Sequence, residues 1–416
     1  MRPATPGDAG SRRFATAAAA ALLTASALLA ALAAPAEAQR PPRLRVPPRS
    51  ATLVLSGGVL IDGNGGAPLP DAVVVVRGER IVAVGQQGDV EIPARASVID
   101  VGGATILPGV INAHVHSGYR ASHLVAWAQG GVTTVRDLCG REDYDLIADL
   151  NRDPANARLV AAGPFITVPG GYPIVPWGAT NVVTVTTVEQ ARAAANRLID
   201  EGADLIKIAI ETGADFGRTI PTLSLAQATA IVQATHARGT LVSVHLTTSP
   251  DLPRALDAGA DDLAHMVVDS PSSALLARAA SQGVVWVPTL ELWHVVGYNH
   301  EPRAVENLRR FLAAGGTVAL GTDFGGYDAP FELGMPILEM GLMQQAGMSA
   351  MDVIVAATQT AARVCGMSAE LGTVEAGKIA DLIVVPGDPL ADIHALANVA
   401  LVVHGGSVIR NDLPGT

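Results

Sequence analysis

Apolar positions follow two rhythms along this chain. Near the start, short β-type runs at 52–56, 72–76, 80–84 and 97–101 are separated by turn residues such as Asp62-Gly63-Asn64-Gly65-Gly66, which predicts a small sheet. Similar runs return only near the end, at 380–385, 399–403 and 407–410. Neither group has enough strands to bury a face by itself, so one small β-sandwich domain built from both termini is expected, from residues 49–106 and 371–416. Between them, over 107–370, short apolar runs alternate with helical patterns. The runs lie at 104–116, 132–136, 158–162, 204–208, 241–245, 262–265, 284–288 and 317–323, with helical segments such as 188–201, 225–238 and 302–314 between them. Gly239 and the pair Gly315-Gly316 are the stops of the last two. Eight such units predict an α/β fold of the closed (β/α)8 TIM-barrel type, whose chemistry belongs at the C-terminal ends of the strands.

Composition narrows the setting. Arg12 and Arg13 precede an Ala/Leu-rich run from Ala15 to Ala34, followed by Pro35 and the small-x-small triplet Ala36-Glu37-Ala38. This is the layout of an export signal over 1–38 with cleavage before Gln39, followed by a Pro/Arg-rich linker at 39–48. A periplasmic or secreted protein, with no membrane attachment after cleavage, is the expectation. The twin arginine hints at export in the folded state, although Phe14 follows it directly. What remains is long enough for a barrel of roughly 250 residues and an accessory domain. A net charge of −11 leaves no basic stripe for phosphates, which excludes a nucleic-acid partner. Cys139 and Cys365 are the only cysteines, too few for a disulfide scaffold, and two buried thiols are expected.

The strand ends carry the candidate chemistry. The opening run ends in Leu107-Pro108-Gly109-Val110-Ile111-Asn112-Ala113-His114-Val115-His116. Residues i and i+2 of a strand share a face, so His114 and His116 can converge on one ion. Strand four carries Lys207, strand five ends in His245, strand six in His265 and strand eight in Asp323. Five nitrogen or oxygen donors and a lysine at one barrel mouth suggest a site for two divalent metals. An ammonium among cations would be repelled. Beside them its pKa falls, and the neutral amine can take up carbon dioxide to give an anionic carbamate with two oxygens. Lys207 is therefore expected as N6-carboxylysine bridging both ions, with an ion-pairing core lysine as the alternative.

These residues resemble the amidohydrolase superfamily, and more narrowly its members related to imidazolonepropionase and to metal-dependent Xaa-Pro and other Xaa dipeptidases. The resemblance spans nearly all of the chain after the signal. It is carried by residues 107–116, Gly131-Val-Thr-Thr-Val-Arg-Asp137, Leu205-Ile-Lys-Ile208, Gly321-Thr-Asp323 and the closing stretch 371–382. It implies that His114, His116 and Asp323 bind the more buried metal, that carboxylated Lys207 bridges, and that His245 and His265 hold the second, with zinc the expected element. It further implies a bridging hydroxide as nucleophile and Asp323 as general base and then acid toward the leaving nitrogen. The implied substrate is a small amide, a dipeptide or N-acyl amino acid, and a homo-oligomer is expected.

Two departures line the mouth. His245-Leu-Thr-Thr-Ser249 stands where many relatives have a second histidine, and Pro169-Gly-Gly-Tyr172 where relatives often continue Gly-Gly-His. Tyr119, Tyr172, Arg218 and His294 are candidate substrate contacts, as is Arg136, for which an internal ion pair with Asp137 is the alternative. His123 is a candidate neighbour of the site, and His300, on the same loop as His294 after strand seven, is a further candidate substrate contact, whereas His236, His394 and His404 are expected at surface or packing positions. A lactone, cyclic amide or phosphotriester is an alternative electrophile. A deaminase is disfavoured because Thr248 stands where that branch places a glutamate. A catalytically silent ligand-binding barrel is the alternative outside enzymology.

Overall fold

Pro108-Gly109 divides the long apolar run at 104–116 into two strands that belong to different parts of the molecule. The computed structural model describes residues 52–297, 299–325 and 329–414, all within one compact unit, Val46–Thr416. The expected export signal and the linker at 39–48 lie outside the described residues.

Five strands come first: β1 (Thr52–Leu60), β2 (Leu69–Arg77), β3 (Arg80–Gln86), β4 (Ser97–Asp100) and β5 (Thr105–Pro108). Then follow β6 (Val110–Val115), β7 (Val132–Asp137), β8 (Arg158–Ala161), β9 (Phe165–Thr167), β10 (Val182–Thr184), β11 (Ile206–Ala209) and β12 (Val242–His245). The remainder are β13 (Asp262–Ala264), β14 (Val285–Trp286), β15 (Thr317–Val318), β16 (Leu382–Val385), β17 (Leu401–His404) and β18 (Ser407–Asn411).

Both termini do share one sheet. Its order is β18-β17-β16-β5-β1-β2-β3, with β4 also on β1. The sheet folds over, because Ile81 N donates to Lys378 O and Ala380 N to Glu79 O beyond its β3 edge. The enclosed core of Leu55, Val74, Val76, Ile106, Leu382, Val384 and Val403 removes the apolar face that neither terminal group could bury by itself.

The barrel staves follow the order β6-β7-β8 and β9-β11-β12-β13-β14-β15. Closure comes from Ala113 N donating to Leu320 O and Asp323 N to His114 O. All eight expected staves are present, but the third is broken. Gly163 at φ +71 and Pro164, which lacks an N–H, interrupt it. β8 pairs with β7, while β9 continues to β11 and to the additional strand β10, which apolar periodicity alone did not suggest.

Side chains alternate inward and outward. On β11 Ile206 and Ile208 pack outward with the surrounding helices, whereas Leu205 joins an inner cluster with Val160, Ala264, Val285 and Ala319. Helix Gln359–Val364 contributes Ala361, Ala362 and Val364 to that inner cluster and so closes the lower end. The helices begin where their caps dictate: Thr187 caps Val188–Glu201, and Ser224 with Gln227 forms a capping box on Leu225–His236. Among the described residues no helix is long and apolar enough to cross a membrane.

Candidate metal centre

The centre begins where β6 meets the eighth stave. A register shift between Asn112 and Val115 bulges β6 at its tip. Gly321 lets the eighth stave lie against it, since a Cβ there would stand 2.9 Å from His114 Cβ and N and 2.4 Å from a Val287 methyl. Asn112 ties the two strands, donating to Thr322 Oγ1 and accepting from Thr322 N and His114 N.

Asp323 receives both histidines of the strand tip. Its Oδ1 lies 3.0 Å from His114 Nε2 and 2.8 Å from His116 Nε2. His265 completes a group with His114 and Asp323 whose donor atoms lie within 4.8 Å of one another, a possible metal-ligand triad. The His265 ring stacks on His114 at 4.9 Å and meets His245 edge-on at 5.1 Å. Thr289 Oγ1, 2.7 Å from His265 Nδ1, fixes that ring and leaves Nε2 for the centre. His245 stands apart from the triad. Its Nε2 is buried without a hydrogen-bond partner, 3.8 Å from Glu211 Oε2, and Tyr172 stacks on its ring at 3.8 Å.

Beneath the imidazoles lies a charged layer. Lys207, Ser243 and Asp262 are register neighbours across β11, β12 and β13. Lys207 Nζ donates to Ser243 Oγ at 3.3 Å, and Ser243 Oγ donates to Asp262 Oδ1 at 2.7 Å. Arg136 forks onto Asp262 at 2.8 and 3.0 Å and donates to Ala113 O and Val364 O. The internal pair considered for Arg136 with Asp137 is therefore replaced by one with Asp262, because alternation turns Arg136 inward while Asp137 ends the strand. Asp137 instead accepts Gly118 N and Cys139 N, anchoring the loop beyond His116.

Electrostatics follow from burial. Desolvation holds His114 and His245 well below the usual imidazole range and brings His265 to about 4, helped by the Lys207 charge. Burial opposes protonation of His116 too, but the Asp323 carboxylate overrides it and the value rises. For Asp323 burial is outweighed by His265, His116 and His114, and its carboxyl falls well below the usual range. Burial, with Arg136 adding to it, brings Lys207 down to about 7, so a neutral amine is accessible near neutral pH.

The donors suit divalent cations. Imidazoles of His114, His245 and His265 held neutral, a carboxylate held ionised, and the buried unpartnered Nε2 of His245 form a set that a cation would satisfy. Other expected contacts fall elsewhere. Tyr119 donates to Arg141 O, His294 pairs with Glu301 at 2.6 Å with its side chain 49% exposed, and Arg218 is exposed. His123 packs edge-on against Trp127 and Phe324, His236 and His394 pair with Asp261 and Asp392, and His404 lies near Pro154 O. Both cysteines are free thiols, each pushed up to about 12 by burial. Glu211 was not anticipated, although its place two and four residues beyond Ala209 and Lys207 puts it on their face.

The model of the Amidohydrolase family matches residues 105–409. The chain is similar to an imidazolonepropionase of Symbiobacterium thermophilum, 27% identical over 77% of this chain and 84% of that protein. Among solved structures it is similar to a Xaa-Pro dipeptidase with bound methionine in the active site, 25% identical with a TM-score of 0.76, over 87% of this chain and 100% of that one. A prolidase complexed with N-methylphosphonate-L-proline is 26% identical, TM-score 0.75, with the same coverage.

Proposed function

Because the chain belongs to the amidohydrolase family, we propose that this hydrolase of carbon–nitrogen bonds cleaves the amide of a dipeptide or an N-acyl amino acid outside the cytoplasm. Two divalent ions, with zinc the best match to imidazole and carboxylate donors, would be held by His114, His116, Asp323, Lys207, His245 and His265. When bound they supply an acidified water and polarisation of the scissile carbonyl.

The remaining steps belong to the chain. Asp323 is ionised at neutral pH, so its Oδ1 can take a proton from the attacking water and return it to the leaving nitrogen. Lys207 with a neutral Nζ adds to carbon dioxide, forming an N–C bond and releasing a proton, and the resulting anion offers two oxygens where an ammonium offers none. Ser243, Asp262 and Arg136 hold that side chain on its stave. His265 is kept in one tautomer by Thr289.

The observation that carries this reading is the meeting of His114, His116 and His265 around Asp323 above a buried lysine near neutrality. The test is metal analysis of the mature protein coupled to a screen of Xaa-Xaa dipeptides and N-acyl amino acids with product masses. Turnover lost on chelation and restored by zinc, cobalt or manganese is expected. Full turnover in metal-stripped enzyme, or cleavage confined to lactones or phosphotriesters, would overturn it.

A further inference from the structure

Phe, Tyr and Trp make up only 4% of this chain, yet four of them line up on one side of the barrel mouth. Tyr172 lies face to face on the His245 ring at 3.8 Å and 10°. Phe165 stands edge-on to both, 5.9 Å from Tyr172 and 6.1 Å from His245. Phe216 continues from Tyr172 at 6.0 Å, and Trp177 meets Phe216 edge-on at 5.9 Å. Phe165 opens β9 in the third stave, Tyr172 sits on the loop after that strand, Trp177 ends the short helix Ile174–Trp177 that follows, and Phe216 lies on the loop after β11.

The path runs outward from a buried imidazole to Trp177, which is 52% exposed. Burial of the aromatic core does not call for an indole at the solvent end. Asp215, beside Phe216, lies 3.4 Å from His300 on the loop after β14, and His300 in turn meets Trp293, which meets His265. The loop bearing Phe216 is thus braced across the mouth, so the aromatic wall is set before any substrate arrives. Exposed Arg218 follows two residues later on that loop.

Resting on the function proposed above, we infer that Tyr172, Phe216 and Trp177 form a specificity wall that takes an aromatic ring flanking the scissile amide. Faces and edges of rings pair favourably with a further ring, and a small aliphatic side chain leaves the outer part of the wall uncovered. The substrate class is then an amide of an aromatic amino acid, with selection made by Trp177 and Phe216.

The metal-loaded enzyme is assayed on Ala-Ala, Phe-Ala and Ala-Phe. One phenylalanine dipeptide should exceed Ala-Ala at least about tenfold in kcat/KM, chiefly through KM, and in Trp177→Ala and Phe216→Ala that ratio should fall toward one. Calorimetric binding of hydrocinnamate against propionate, neither of which contains an amide, supplies a readout without turnover, with the aromatic acid favoured about tenfold in the native chain alone. Equal rates with equal binding, or a preference that survives both substitutions, overturns the wall. Aromatic preference in binding without hydrolysis of any dipeptide keeps the wall and overturns the peptidase reading.

Discussion

At the scale of single residues, burial decides which groups are charged. Glu339 and Glu291 show it away from the centre: both are fully buried, and burial raises them to about 8 and about 7. Glu339 Oε2 accepts Glu291 N at 2.6 Å, Glu291 Oε1 accepts Glu332 N at 2.6 Å, and one oxygen of each carboxyl has no partner. A carboxyl whose folded value is raised keeps its proton in the native chain where the unfolded chain has lost it. Between about pH 4.5 and 8 the native state therefore binds more protons, and stability falls as pH rises through that window. Glu339→Gln keeps the accepting oxygen and cannot ionise. Thermal unfolding should show the variant little changed at about pH 5 and more stable than the native chain at about pH 9, by a margin on the order of a few kcal/mol. A constant difference across that range would mean the carboxyl is not protonated in the fold. The same logic acts on Lys207 with the opposite charge, which is why a lysine could be suspected of unusual chemistry from its strand position alone. Its bracing by Ser243 and Asp262 was hidden, because neighbours across parallel strands are set by register and leave no local spacing.

At the scale of elements, the joint at Pro108-Gly109 does two tasks. It ends β5, which pairs with β16, and it starts β6, whose tip carries His114 and His116. Gly109 is needed for close approach: a Cβ there would lie 2.2 Å from Thr133 Oγ1, 2.5 Å from Cγ2 and 2.9 Å from Cβ. Turning the threonine side chain cannot clear its own Cβ, so β7 must move. Gly109→Ala should cost about 1–3 kcal/mol, as overpacking usually does, read as a lower Tm. Since β7 also carries Arg136 and Asp137, metal affinity should fall with it, and an unchanged Tm would show that the strands slide freely. Staves were legible because each is a short apolar run ended by a polar tip. The break at Gly163-Pro164 was not, since β8 and β9 read as one strand and a loop until their different partners are known. The starts of Val188–Glu201 and Leu225–His236 were legible from apolar periodicity, and Thr187 and Ser224 cap them there, while the second helix ends at His236, three residues before Gly239. His245 was legible as a strand-end histidine, but its stacking on Tyr172 depends on a loop without periodic signal.

At the scale of the whole molecule, the donors come from staves one, four, five, six and eight, so a bound pair of ions would cross-link more than half of the ring. Such a ligand binds the native chain and scarcely the unfolded one, and stabilises by RT ln(1 + [L]/Kd), about 4 kcal/mol when free metal is a thousand times Kd. Three of the imidazoles are already neutral near pH 7, His265 at about 4 and His114 and His245 held by burial well below the usual imidazole range. Metal entry therefore competes with a proton chiefly at His116, whose value is raised by Asp323. Affinity should climb as pH rises through the His116 ionisation and through that of Lys207 at about 7, and then level, with about one imidazole proton released per loaded chain rather than several. Scanning calorimetry of chelated and zinc-loaded enzyme over a pH series checks both parts. The loaded form should unfold several degrees higher, the gap narrowing toward acid as His116 takes up its proton. His114→Ala should abolish the gap while leaving the terminal sheet folded, since Leu55, Val74 and Val384 pack there without reference to the mouth. If chelation leaves Tm unchanged at neutral pH in the native chain, the six side chains do not bind cations together, and the hydrolytic reading loses its support.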